Sequence, residues 1–415
     1  MDEFEERAGR ILVRINELAG YSEDLRCLTR TFGSPAFMEA GKKVFLWMTE
    51  AGLQTSIDNI GNIRGRLVST DKNAQTFIIA SHIDTVSDAG KFDGPLGVIM
   101  GLDLVEHLIK SKTVIPFNIE LIAFSDEEGV RFHSTYLGSR VVAGTFDIGL
   151  LDKKDASGIS VKEVVEFVGG DAGKIRDDAI SPQDVTGYFE IHIEQGPVLY
   201  ERNIPAAIVT AIAGQRRIEL HFQGLAGHAG TVPMNMRNDA LCAAAECILQ
   251  IEGIAIAQKN KVVATVGKIA IRNAASNVIP GDVTCSLDIR SEDETILEAA
   301  MEKLKQVCET VCKNRAINFE WKLIQSTKPV ACDVRMNQLL EEAISDSGYE
   351  VLTLVSGAGH DAVAISAIAP VAMMFVRCYK GISHNPLENV ALDDIKASLI
   401  IAEKFILKYI SKYNA

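Results

Sequence analysis

This chain of 415 residues has no excess of basic residues, no paired-cysteine motif and no long apolar run. Each absence removes a class of function. Lys and Arg number 42 against 55 Asp and Glu, a formal net charge of −13. A field of that sign disfavours a nucleic-acid backbone or an anionic membrane as the main partner. It leaves room for a small anion, because a few clustered arginines override the global field locally. Cys27, Cys242, Cys247, Cys285, Cys308, Cys312, Cys332 and Cys378 are scattered without a CxxC pair, and are read as small buried hydrophobes, not disulfide partners or metal ligands. No uninterrupted apolar stretch reaches the roughly 18 residues of a membrane span. The acidic start, Met1 to Glu6, lacks the basic and apolar segments of a secretory signal. The expected compartment is the cytoplasm. No internal repeat or low-complexity tract is apparent.

What is present is ordinary globular material, 47% hydrophobic and 23% charged. The length exceeds one typical core, so two domains are expected. Phe77–His82 is a continuous apolar run ending in polar residues, the pattern of a strand covered on both faces. A loop with Gly and Pro, Ala89–Pro95, precedes a helical pattern from Leu96 to Lys110. Phe117–Ser125 and Tyr188–Glu194 repeat the strand reading. Asp126-Glu127-Glu128-Gly129 lies just past the first, and His192 near the end of the second. Alternating strands and helices predict an α/β sheet, where ligands bind beyond the carboxyl ends of the strands.

From about Gln215 to Ser326 the rhythm changes. Strand patterns at Arg217–Phe222, Val262–Ile271, Val283–Ile289 and Ile317–Leu323 alternate with helical ones at Asn238–Ala257 and Glu294–Lys313. The order β-α-β-β-α-β is the split βαβ, or ferredoxin-like, unit. After Thr327-Lys328-Pro329 the first style resumes, with a strand at Pro370–Val376 and a closing helix from Leu392 to about Tyr409. The expectation is an α/β domain with a mixed sheet and helices on both faces, made of residues 1–213 and 328–415 and interrupted by a ferredoxin-like domain at 214–327.

The polar residues at the sheet's edge carry chemistry. His82 and Asp84 are two apart and so share a face at the strand's end; a metal-binding histidine usually has its second nitrogen fixed by a carboxylate or carbonyl, which Asp84 can supply. The adjacent Glu127 and Glu128 diverge in direction, so one can bind metal while the other faces an attacking water as general base. Asp93 sits in the tight loop Phe92-Asp93-Gly94, His192 ends a strand, and His384 lies on the turn Gly381–Pro386. Imidazoles and carboxylates without cysteine suit a pair of divalent ions, zinc, manganese, cobalt or nickel.

The motifs HID (82–84), FDG (92–94), DEEG (126–129), HIEQG (192–196), GHAGTVP (227–233), GAGHDA (357–362) and GISHNP (381–386) together resemble the two-metal amidohydrolases related to aminoacylases and carboxypeptidases. Within them, the chain looks like the branch of allantoate amidohydrolases, N-carbamoyl-L-amino acid hydrolases and β-ureidopropionases. The resemblance implies that Asp93 bridges two ions. It gives His82 and His192 to one ion, Glu128 and His384 to the other, and the general base to Glu127. His228 would stabilise the oxyanion in a partner subunit's site, making the inserted domain both lid and dimer interface. Arg290 would clamp a substrate carboxylate, Arg216 being the next candidate, while Gln195, Asn277 and His360 would hold ureido and amide groups. Where many relatives carry a proline before the clamp strand, this chain has Arg272-Asn273-Ala274-Ala275-Ser276-Asn277. The implied reaction is cleavage of the ureido C–N bond of a small anionic substrate, allantoate ahead of N-carbamoyl-L-amino acids. A dipeptidase or N-acyl-amino acid deacylase is the enzymatic alternative, and a dimeric binding protein without turnover the non-enzymatic one.

Overall fold

A computed structural model describes residues 2–413. The chain forms two compact units, one made of the segment up to Thr210 with the segment from Cys332 onward, the other Ala211–Ala331. The second unit is a few residues wider at each end than the 214–327 read from sequence.

The first unit is built on a mixed sheet. Asn118–Phe124, Thr76–His82, Val185–Ile193 and Val371–Val376 run parallel at its centre. Ile63–Leu67 and Ala206–Ile212 flank them antiparallel, and Gln54–Ile57 extends one edge. Every residue of the Thr76–His82, Asn118–Phe124 and Val371–Val376 strands is buried, which requires helices or loops over both faces. The edge strands escaped the sequence reading. Ile63-Arg64-Gly65-Arg66-Leu67 pairs through its backbone while two arginines break its apolar pattern.

The helix Pro95–Lys110 aims its first turn at the site. Pro95 starts it at a position where no amide donor is needed. Gly94 precedes it at φ +83, where a side chain would also overlap the His82 ring. Gly97 lets the helix approach so closely that a Cβ would lie 2.1 Å from the carbonyl of Ile191. The Asp93 loop is thereby pressed against the ends of the His82 and His192 strands.

The second unit is the ferredoxin-like fold expected. Its antiparallel sheet runs in the order Asn318–Thr327, Gly214–Gln223, Asp282–Ser291, Val263–Ile271. Helices Ala240–Ala257 and Glu294–Asn314 cover it, burying Ala243, Ala244, Cys247, Leu297, Leu304 and Cys308. Among the described residues, Ala240–Ala257 alone is long and apolar enough to cross a membrane, with mean hydropathy 1.7 over 18 residues. It is interrupted by Glu246 and Glu252 and packs its inner side into the unit's core. All eight cysteines are free; Cys242 is exposed and Cys27 half-buried, the rest buried.

Candidate metal centre

Three of the four parallel strands, Asn118–Phe124, Thr76–His82 and Val185–Ile193, lie side by side, and His82 and His192 near the ends of two of them meet the Asp93 loop. His82 closes its strand, so Asp84 lies in the following loop and not on the shared strand face expected. The coupling survives in another form. Nδ1 of His82 lies 3.1 Å from the Asp84 backbone carbonyl and 3.4 Å from its carboxylate. The Asp84 carboxylate also accepts the backbone N–H groups of Glu127 (3.0 Å) and Glu128 (3.1 Å). One buried side chain therefore ties the His82 strand to the acidic loop. His192 donates its Nδ1 to its neighbour's carbonyl, Ile193, at 3.0 Å. In both histidines a carbonyl takes the Nδ1 proton, leaving the Nε2 lone pair for a ligand.

These Nε2 atoms converge on Asp93. His192 lies 3.2 Å and His82 3.8 Å from Asp93 Oδ1, and the two Nε2 atoms are 3.5 Å apart. On the other oxygen, Oδ2, stand His384 at 3.1 Å and Gln195 Nε2 at 2.8 Å. Glu128 Oε1 is 3.5 Å from His384 Nε2. Potential ligand atoms of His82, Asp93 and His192 lie within 4.8 Å of one another, as do those of Asp93, Glu128 and His384 and those of His82, Glu127 and Glu128. Asp93 belongs to two of these groups, one through each side of the carboxylate.

The electrostatics call for cations. Burial, then the neighbouring Glu128, Asp361 and Asp84, pushes the Glu127 carboxyl well above the usual carboxylate range. Glu128 and Asp126 are pushed up likewise, by burial first, then by Asp93 and Asp84 for Glu128 and by Asp84 for Asp126. Burial works against a charged His192, but the bond to Asp93 and the charge of Glu190 outweigh it and raise the group to about 9. Burial raises Asp93 as well, yet His192 and His384 hold it well below its ordinary value. The carboxylates that favour positive charge on His192 and His384 would equally favour a divalent ion, and hard and borderline donors without cysteine fit such an ion.

The remaining sequence candidates fall into different places. Gln195, at φ +55, bonds to Asp93 itself. His360 is buried and packs edge-on against His192, ring centroids 4.4 Å apart. Its Nε2 meets Ser356 Oγ at 2.8 Å, and because Ser356 also lies 2.8 Å from the Ala358 carbonyl it gives its proton there and accepts from His360. In the second unit His228 and Asn277 come together: Val278 pairs with His228, and Ala229 N–H donates to the Asn277 carbonyl at 2.9 Å. Arg290 makes a bidentate pair with Asp288 at 2.9 and 3.0 Å. Arg216 is otherwise employed than expected. It is buried, donates to Glu294, Glu298 and the Thr327 carbonyl, and so has its fork filled by its own unit. No substrate role is kept for it.

Several further residues at the site were given no role by the sequence. Arg30 is fully buried and donates to the carbonyls of Ile83 (2.7 Å), Leu18 (2.7 Å) and Tyr21 (3.2 Å), fixing the turn that follows His82. Glu190, two residues before His192, accepts Tyr188 OH at 2.8 Å and Ala362 N–H at 3.1 Å. Asp361 accepts Ser139 Oγ at 2.5 Å. Glu388 and Ser383 complete the Asp93 surroundings. Arg30 and Glu388 lie in no recognisable spacing; Asp361 and Ser383 fall inside the motifs at 357–362 and 381–386, and Glu190, on the same strand face as His192, was open to inference.

Known proteins are similar to this chain over nearly its whole length. An allantoate deiminase of Glycine max is 38% identical over 428 aligned residues, 95% of this chain and 88% of the plant protein. An N-carbamoyl-L-amino-acid amidohydrolase of Pseudomonas is 36% identical over 90% of this chain and 91% of its own. The crystal structure of an amidase of the hydantoinase/carbamoylase family from Burkholderia multivorans superimposes with a TM-score of 0.90 at 30% identity, covering 97% of both chains. Residues 78–408, from the His82 strand past the His384 turn into the last helix, match a single family model. With its imidazole and carboxylate cluster at the ends of those strands, the chain belongs to peptidase family M20/M25/M40.

Proposed function

We propose that the protein is an amidohydrolase that cleaves the ureido C–N bond of allantoate, using two divalent ions. The observation that carries the reading is the convergence of two donor groups on opposite oxygens of Asp93, with the buried Glu127 beside them. His82 and His192 would hold one ion, Glu128 and His384 the other, and Asp93 both. Bound there, the ions supply Lewis acidity, polarising the ureido carbonyl and acidifying the attacking water.

The chain's own residues do the rest. Glu127 accepts the water's proton as oxygen adds to the ureido carbon, then returns it to the departing nitrogen. The crowding that raises Glu127 suits it to carry that proton between the two steps. The carbamate left behind decomposes to ammonia and carbon dioxide, with ureidoglycine as the other product. Gly230 N–H donates to Nδ1 of His228 at 3.1 Å, which leaves Nε2–H of the neutral ring as a donor for a developing oxyanion. Arg290, whose guanidinium Asp288 orients through two hydrogen bonds, is the proposed clamp for the substrate carboxylate.

We further propose a homodimer through the second unit. Leu249 and Ile256, one heptad apart on the helix Ala240–Ala257, are exposed, and so are Val263 and Ile269 on the edge strand. A second copy would cover this apolar face.

The choice of allantoate is supported by relatives of 37–38% identity named allantoate deiminases. N-carbamoyl-L-amino acids are the second reading, favoured by relatives of that name at 36–38%. Incubating manganese-loaded protein with allantoate, several N-carbamoyl amino acids and an N-acetyl amino acid distinguishes them. Ammonia is expected from allantoate. Release of ammonia from none of the ureido compounds would overturn the proposal.

A further inference from the structure

Two of the three histidine ligands are fixed by their own surroundings. His82 and His192 are buried at strand ends, and each has its Nδ1 held by a carbonyl. His384 differs. Its side chain is 49% exposed, it stands on a turn at φ +53, and among the described residues nothing holds its Nδ1. Neither packing nor a carbonyl therefore sets its distance from Asp93, yet the second ion group needs both in register.

We infer that Glu388, acting with Ser383, is a positioning residue that staples the Asp93 loop to the His384 turn and so shapes the ion site of Asp93, Glu128 and His384. The inference rests on the two-ion reading above and adds a residue to it.

Glu388 is buried, although it follows the exposed His384 by only four residues. One carboxylate oxygen accepts the backbone N–H groups of Phe92 (2.8 Å) and Asp93 (3.2 Å). The other lies 3.1 Å from Ser383 Oγ, immediately before His384. Ser383 Oγ is also 3.0 Å from Asp93 Oδ2, the oxygen that faces His384. Two segments nearly 300 residues apart are thus joined by one carboxylate, with a hydroxyl as the link to the bridging group.

The loop is also shaped to admit Glu388. A Cβ on Gly90 would lie 2.2–2.3 Å from the carboxyl group and Cβ of Glu388. Any side chain at position 90 would displace the staple. Ser383 has one proton and two carboxylate oxygens within reach. With a cation on Asp93 Oδ2, the hydroxyl turns its proton to Glu388 and its lone pair toward the cationic side. In that state Glu388 fixes the serine, and the serine fixes the turn carrying His384.

The test is a titration of the metal-free, full-length protein with zinc by calorimetry, with bound metal counted after gel filtration. Wild type is expected to take two ions. Glu388→Ala should still bind the first with unchanged affinity and bind the second about 10–100-fold more weakly, the usual cost of losing a group that orients a ligand. Glu388→Gln retains an acceptor for the two backbone amides and should lose less. Ser383→Ala should show the same selective loss, and it carries the test if Glu388→Ala does not fold. Equal weakening of both ions, or two ions bound at wild-type affinity in both alanine variants, would overturn the inference. A wild type that binds fewer than two ions would instead overturn the reading beneath it, and this inference with it.

Discussion

Asp84→Asn removes one charge with almost no change of shape, and its consequences can be worked from the bonds. Both oxygens of Asp84 are committed, one to Glu127 N–H and the other to Glu128 N–H, and the side chain is 1% exposed. An asparagine can accept one of these N–H groups and presents its own NH₂ to the other. One charge-assisted bond is lost, about 1.5–3 kcal/mol, and one buried donor is stranded, a further 1–3 kcal/mol. Against this, Asp84 is among the charges that raise Glu127, Glu128 and Asp126, so its removal relieves repulsion. Relief counts only while no cation neutralises the cluster. The metal-free protein should therefore lose little unfolding free energy, and the zinc-loaded protein about 3 kcal/mol or more. By linkage the difference appears as weaker zinc binding, about 3 kcal/mol or roughly 100-fold and more in affinity. Urea unfolding of both forms and a zinc titration check it. Equal losses in the two forms, with zinc affinity unchanged, would refute the reasoning.

Glu127→Gln should cut kcat by roughly 10²–10⁴-fold while leaving metal stoichiometry intact, since the general base is lost and the ions keep their other ligands; a steady-state assay beside metal analysis tests this. Arg30→Met removes the side-chain donor from the carbonyls of Ile83, Leu18 and Tyr21, of which Leu18 keeps the Tyr21 N–H, and should lower the unfolding free energy by about 2 kcal/mol or more, read by urea titration. His192 makes the metal-free protein sensitive to pH. Its native value, raised to about 9, lies above the unfolded value of roughly 6.5, so its stabilisation is complete below 6.5 and is lost as pH rises through 9. The melting temperature of the metal-free protein should fall over that interval, whereas bound metal replaces the proton and removes the trend; identical profiles for the two forms would contradict the assignment. Arg290→Lys should raise KM for a carboxylate substrate at least tenfold with a smaller change in kcat, because an ammonium cannot offer the planar fork held by Asp288.

Long apolar or periodic segments were legible because a single chemistry sets them. The strand Thr76–His82, the helix Pro95–Lys110 and the stripe Leu297, Ala300, Leu304 and Cys308 needed only burial and period. Short or edge elements were not. Gln54–Ile57, Ile63–Leu67 and Thr353–Ser356 owe their state to backbone pairing with distant strands, and no local pattern records a partner.

The same division runs through the site. By itself the sequence placed His82, Glu127, Glu128 and His192 at strand ends, and Asp93 and His384 on tight loops, because a strand followed by polar and turn-forming residues is a local fact. Tertiary structure decided what each residue does beside the others. It moved Asp84 off the strand and gave its carboxylate to two amides across the sheet. It closed Arg216 over Glu294 and Glu298, and it brought Glu388 back to the Asp93 loop. Hydrogen bonds between segments tens to hundreds of residues apart depend on angles and distances of a few tenths of an ångström, and these are set only when the whole core has packed.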